Sequence, residues 1–273
     1  MKQATQNKYT QMTTAPIPSL IGKLAIPTIV SMLITSFYVM ADTYFVGKIN
    51  TQSTAAVGIS FSIMAIIQAF GFFFGHGSGN YISRKLGAQD YKSAEKMAST
   101  GFFYAFFAGI LIMVLGLIFL RPICLALGST PTILPYAEQY LGIIMASSLV
   151  LNNQMRFQGN AVYAMVGIIV GAVLNIGLDP LLIFVFDMGI AGAAWATFTS
   201  QISSFLILLY MDSKGENIRI HFRNFTPSLT FFKEIIYGGS PSLCRQGLAS
   251  ISTILLNVAA GVYGDAAIAG MSI

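Results

Sequence analysis

Charge is what this sequence has least of. Of 273 residues only 9% are Asp, Glu, Lys or Arg, while 55% are hydrophobic and the mean hydropathy is +0.71. A soluble domain carries about 25% charged residues, so a chain this poor in them cannot cover itself for water. Cysteine is also scarce. Cys124 and Cys244 lie in or beside apolar segments, which excludes a disulfide framework or a cysteine metal site and leaves packing as their role. The two histidines, His76 and His221, are far apart. No Ser/His/Asp set, zinc motif or phosphate loop accompanies them, so an enzyme is not expected. Residues 1–19 are polar and lack the apolar core of a cleavable signal peptide. The first membrane span is expected to act as its own uncleaved signal. The sequence pI near 9.2 does not point to nucleic acid, because the basic residues sit in short gaps between apolar runs rather than on one face.

What the chain does have is long apolar runs. A span needs roughly 20 mostly apolar residues, and seven runs approach this: 24–47, 49–83, 97–120, 139–155, 157–186, 188–211 and 246–264. The fourth is weakest, since its apolar part covers only 141–151. To cross, it must borrow from 132–139 or 152–157; a re-entrant segment is the alternative. Lys2, Lys8, Lys23, Arg84, Lys85, Lys92, Lys96, Arg156, Lys214, Arg219, Arg223 and Lys233 fall on one set of loops, and only Lys48 and Arg121 on the other. By the positive-inside rule the N-terminus is cytoplasmic. Arg245, near the start of the seventh span, is expected to snorkel to the inner interface.

The seventh span resembles the first. Setting Pro27 on Pro241 also sets Gly47 on Gly261, and a two-residue gap then sets Gly58 on Gly270. A second six-span unit begins there, and repeats of this kind are common in transporters. With the chain ending at Ile273, the expectation is a truncated chain.

Two acidic residues fall inside spans. Asp42 lies about eighteen residues into the first, and Asp179 on the fifth just before Pro180. Intramembrane carboxylates are costly and usually mark an ion or substrate path; the plainer reading is an interfacial residue at a helix end. Asn175 precedes Asp179 by four residues and Tyr38 precedes Asp42 by four, so each pair shares a helix face. Thr197, Thr199 and Gln201 interrupt the sixth span. Oxygen ligands of this kind suit a small hard cation, and a buried carboxylate can also take a proton. Sodium and proton stay open. Pro27 removes a helix hydrogen bond and permits a bend in the first span. Gly75-x-Gly77-x-Gly79 faintly resembles a nucleotide loop but sits in a span with no preceding strand. Close helix packing explains it better, and packing also suits His76 between these glycines.

The run 77–90 (GSGNYISRKLGAQD), Asp42, the run 152–160 (NNQMRFQGN) and the run 174–180 (LNIGLDP) together resemble the multidrug and toxic compound extrusion (MATE) transporters, most closely the DinF-like branch. The resemblance implies an all-α integral membrane protein: a six-helix lobe plus a seventh span, out of a twelve-span, two-lobe architecture. The parts expected are a cytoplasmic tail 1–18, the lobe 19–211, a cytoplasmic linker 212–233, and the start of a truncated second lobe at 234–273. It implies a plasma (inner) membrane antiporter that exchanges sodium or protons for amphipathic organic cations by alternating access, without another cofactor. It maps Asp42, Asn175, Asp179 and Thr197 onto the family's cation site, Tyr38 onto a nearby tyrosine and Pro27 onto a proline whose helix bends. The second lobe is almost absent and the fourth span is short, so a scaffold or non-transporting fragment is the contrasting expectation. A lipid-linked precursor flippase is a further one, weakened because Arg245 is the only intramembrane basic residue. Partners expected are small organic cations and the lipid bilayer, with self-association of the half-length chain left open and nucleic acid excluded.

Overall fold

The structure is a computed structural model that describes residues 14–149, 161–214 and 222–271. Nine α-helices are described: α1 (Ile17–Gly47), α2 (Thr51–Gly87), α3 (Tyr91–Ile118), α4 (Leu120–Ala126), α5 (Leu134–Ile144), α6 (Ala161–Pro180), α7 (Gly189–Lys214), α8 (Leu229–Gly261) and α9 (Asp265–Met271). Six of them are long and apolar enough to cross a membrane: α1, α2, α3, α6 with its extension to Val185, α7 and α8.

The expected fourth span takes another form. It starts at Leu134, borrowing from the preceding loop, runs as α5 for 11 residues and tightens into a 3-10 segment, Met145–Leu149. At 1.5 and 2.0 Å rise per residue these reach about 26 Å, short of the roughly 30 Å hydrocarbon core. Its continuation, with Arg156 and the 152–160 motif, lies outside the described residues, as do most of the tail and residues 215–221 with His221.

The seventh span also differs. It was expected to begin near 246, yet α8 starts at Leu229, where the Ser228 side chain accepts from the Thr230 N–H at 3.2 Å. The linker expected at 212–233 is therefore helical at both ends. Lys233, which looked like a loop charge, and Glu234 lie in the first two turns, and Glu234 pairs with Arg84 at the end of α2. Arg245 consequently falls in the middle of α8. α1 and α8 each carry an interior proline, Pro27 and Pro241, and each ends on a glycine, Gly47 and Gly261.

These helices bury what a soluble helix would expose. In α1 the buried stripe holds Pro27, Ser31, Asp42 and Val46, while Ile29, Met32, Leu33, Phe37 and Met40 face outward. That inversion suits lipid on the outside. The glycines of α2 serve packing: Gly77 lies against the backbone of Ile235, and Phe73 lies against Gly239, so α2 and α8 run antiparallel at close range. His76 sits in this seam as expected. Cys124 is fully buried, whereas Cys244 is exposed on α8.

Asn50 caps α2, its Oδ1 accepting from the Ser53 N–H at 2.7 Å. Asn50→Ala is expected to destabilise the folded protein by about 1 kcal/mol, read as a lower midpoint in detergent-titrated unfolding followed by circular dichroism.

Candidate functional site

Three helices meet at the carboxylates. On α1, Tyr38 and Asp42 lie one turn apart; on α6, Asn175 and Asp179 do the same; α7 brings Thr197. The arrangement around Asp179 follows from the next residue. Pro180 has no N–H to continue the helix, and the chain widens there into a π-turn, Leu181–Val185. Such turns often mark functional sites. The chain then reverses through Asp187, held at φ 52°, and Gly189 at φ 54°, which sends α7 back antiparallel along α6. Close approach is possible because Gly171 faces Ser200 and Ser204, and Gly167 faces Leu208.

Burial at the site is nearly complete. Asp179 is 0% exposed, Asn175 1%, Thr197 3% and Asp42 4%. The Asn175 Nδ2 donates to Asp179 Oδ1 at 3.4 Å and to Thr197 Oγ1 at 3.4 Å. Asp42 lies within electrostatic reach of Asp179, and Tyr38 within reach of both. The expected set of Asp42, Asn175, Asp179, Thr197 and Tyr38 is thus one cluster. Pro27 is not part of it, being 15 residues, or about 22 Å, along α1 from Asp42.

Among the described residues, Asp42 Oδ1, Asn175 Oδ1 and Asp179 Oδ2 are buried without a hydrogen-bond partner. Buried polar atoms are normally paired. Three convergent acceptor oxygens, two of them from carboxylates, fit a small hard cation or a shared proton. No group of three or more His, Cys, Asp and Glu residues forms a transition-metal cluster among the described residues.

Sequence reasoning missed Tyr140. It comes from the short α5, is 1% exposed, and lies within reach of Thr197, both carboxylates and Tyr38. A lone tyrosine in a weak span carried no periodic signal to single it out. Thr199 is exposed and points away. Beside the cluster lies a cavity of about 450 Å³, lined by Tyr38, Asn175 and Thr197 at one end and continued by Ser200, Gln201 and Ser204 along α7. Thr197, Ser200 or Gln201, and Ser204 recur every three or four residues, so they form one polar stripe. Phe61, Met64 and Ile168 supply apolar wall. The carboxylates do not line the cavity directly; Asn175, Thr197 and Tyr38 stand between.

Comparison with known proteins places this arrangement in a family. The MatE family model matches residues 27–181, which include Asp42, Tyr140, Asn175 and Asp179. The chain is 30% identical over 257 residues to the multidrug export protein MepA of Staphylococcus haemolyticus, covering 91% of this chain and 57% of the relative. It is 27% identical over 267 residues to MepA of Staphylococcus aureus strain MRSA252, covering 95% and 59%. The chain therefore spans a little over half the length of these relatives. Among solved structures, it matches the inward-facing conformation of a multidrug resistance MATE family transporter with TM-score 0.82 and 27% identity, over 91% of this chain and 60% of that one. It matches an outward-facing conformation of such a transporter equally well, with TM-score 0.81 and 30% identity over 90% and 56%. With six helices able to span a membrane and Asp42, Tyr140, Asn175 and Asp179 inside the matched region, the chain is a multi-pass membrane protein that belongs to the MatE family.

Proposed function

We propose that this protein works as a cation-coupled exporter of amphipathic organic cations, with Asp42, Asn175, Asp179 and Thr197 holding the coupling sodium ion or proton. The observation that carries this reading is the convergence of two buried carboxylates with unpaired oxygens beside a roomy, partly polar cavity. Two carboxylates in reach of one another repel when both are ionised. A sodium ion or proton relieves that repulsion, so occupancy of the site and the packing of α1 against α6 are linked. Support for a drug-like cargo comes from the relatives, which are multidrug export proteins.

In this reading Tyr38 and Tyr140 tune the site. Tyr38 stands at the cavity end with Asn175 and Thr197, while Tyr140 lies within reach of Thr197 and both carboxylates. Pro27 supplies the flexible point of α1: it has no N–H to give to the helix ladder, and its own carbonyl accepts from Ser31 Oγ at 2.7 Å as well as serving the helix. A hinge there lets the inner half of α1 move while Asp42 remains with α6. The N-terminus is placed in the cytoplasm, so that Arg84, Lys85 and Lys233 face the inner side of the plasma membrane.

The test is ethidium uptake into inside-out vesicles carrying the protein. Uptake should require an imposed sodium or proton gradient and stop when both are collapsed by ionophores. Uptake that persists without either gradient, or none above vesicles lacking the protein, would overturn the proposal.

A further inference from the structure

The α2–α8 seam is held by different means at its two ends. Near Arg84 the contact is backbone on backbone, with Gly77 against Ile235 and Gly239 against Phe73. The residues leading into α8 are fastened there as well. Thr100 Oγ1 donates to the Thr226 carbonyl at 3.3 Å and accepts from the Thr226 N–H at 3.2 Å, and Phe225 meets the rings of Phe103 and Tyr104 edge-on. No single side chain controls that end.

The opposite end depends on one carboxylate. Asp265, the first residue of α9, takes a hydroxyl on each oxygen: Thr130 Oγ1 donates to Oδ1 at 2.7 Å and Thr132 Oγ1 to Oδ2 at 2.5 Å. Hydrogen bonds from a hydroxyl to a carboxylate are short and about twice as strong as neutral ones. Both threonines lie on the turn between α4 and α5, which the buried Leu127 and Ile133 anchor on either side. In that turn Gly128 holds φ +97°, and a Cβ there would lie 3.2 Å from the Val258 backbone, so the turn abuts the end of α8. Nearby, Asn257 Nδ2 donates to Ser62 Oγ of α2 at 3.4 Å. The described ion pairs, Arg84–Glu234, Lys85–Asp90 and Arg121–Glu138, do not include Asp265. Two hydroxyls are its described side-chain partners.

We propose that Asp265, Thr130 and Thr132 form an outer latch, which holds α8 and α9 on the first lobe until release of cargo requires them to part. The latch rests on the exporter reading, because alternating access opens one end of the seam while the other stays shut. When it lets go, α8 swings on its backbone-packed end near Arg84. Loss of the latch shifts the population toward the form open at the Asp265 end.

Thiol labelling of the full chain in nanodiscs tests this, since both faces of the protein meet the reagent. In a background of Cys124→Ala and Cys244→Ser, Ser62→Cys reports the latch half of the seam and Ser78→Cys the other half. Both serines are buried on α2, at 1% and 0% exposed, and stand about 24 Å apart along it. A hydrophilic maleimide reacts in proportion to the open fraction when opening and reclosing outpace the chemistry. Asp265→Ala is expected to speed labelling of Ser62→Cys about tenfold and to leave Ser78→Cys within about twofold. Thr132→Val removes one of the two bonds and should give a smaller rise. Combined with Asp265→Ala it should add nothing, because both act through one contact. Unchanged labelling of Ser62→Cys, a multiplied effect in the combined variant, or an equal rise at Ser78→Cys overturns the latch; the last would mean that the whole seam loosens. The assay uses neither cargo nor gradient, so these results leave the exporter reading standing. Absent ethidium uptake with the labelling pattern intact counts against the exporter reading alone.

Discussion

Asp179→Asn is expected to abolish gradient-driven ethidium uptake into inside-out vesicles, lowering it about a hundredfold or more. A fall of that size corresponds to ~2.7 kcal/mol, in keeping with losing one charged oxygen ligand from a dry site. The substitution is nearly isosteric, and the Asn175 amide can still donate to the oxygen that remains, so the loss reports charge rather than shape. Asp42→Asn should behave alike, because each carboxylate contributes an oxygen without a hydrogen-bond partner. Asp90→Asn is the control. Asp90 caps α3 at the membrane surface through Ser93, and uptake should remain within about twofold. Native rates in both site variants would remove the carboxylates from the mechanism.

The second large effect concerns the seam rather than the site. A side chain at Gly239 would run into the Phe73 carbonyl oxygen and carbon, and one at Gly77 into the Ile235 backbone. Backbone in a packed helix cannot step aside as a flexible side chain can. Gly239→Val is therefore expected to cost about 3 kcal/mol, the upper end of the range for overpacking. It should lower the unfolding midpoint in detergent. Gly247 lies on the same helix with nothing within 4 Å of an added Cβ. Gly247→Ala should be neutral or slightly stabilising, since alanine is the better helix former. Equal destabilisation by the two would mean that α8 does not pack where the glycines place it.

How far the fold was readable follows from what each signal measures. Apolar run length found six long helices, because crossing a bilayer demands length and little else. It failed to fix the fourth span, whose polar far end and 3-10 turn break the run. Charge placed the start of α8 too late: Lys233 read as a loop residue, whereas it lies in the helix beside Glu234, which answers Arg84 on α2. A partner 150 residues away is not visible to a window along the chain. The same error put Arg245 near the start of the span when it sits at mid-helix.

At the site, local spacing was enough for Asn175 with Asp179 and for Tyr38 with Asp42, since residues four apart share a helix face. Joining α1, α6 and α7 needed the family resemblance, because no spacing rule links Asp42 to Thr197. Tyr140, Ser200 and Ser204 escaped notice, although Gln201 between the serines stood out. Tyrosine and serine are ordinary in membrane helices, and only the antiparallel return of α7 over Gly171 turns the two serines toward one cavity.

Infrared difference spectroscopy of the chain in nanodiscs tests the central claim most directly, since it reports carboxyl groups whichever cation they hold. Raising the pH or adding sodium should change a carbonyl band from a protonated buried carboxyl group. That band should be halved by Asp42→Asn or Asp179→Asn alone and absent from the double variant. A difference spectrum identical in the native chain and the double variant would contradict an exchangeable cation at Asp42 and Asp179.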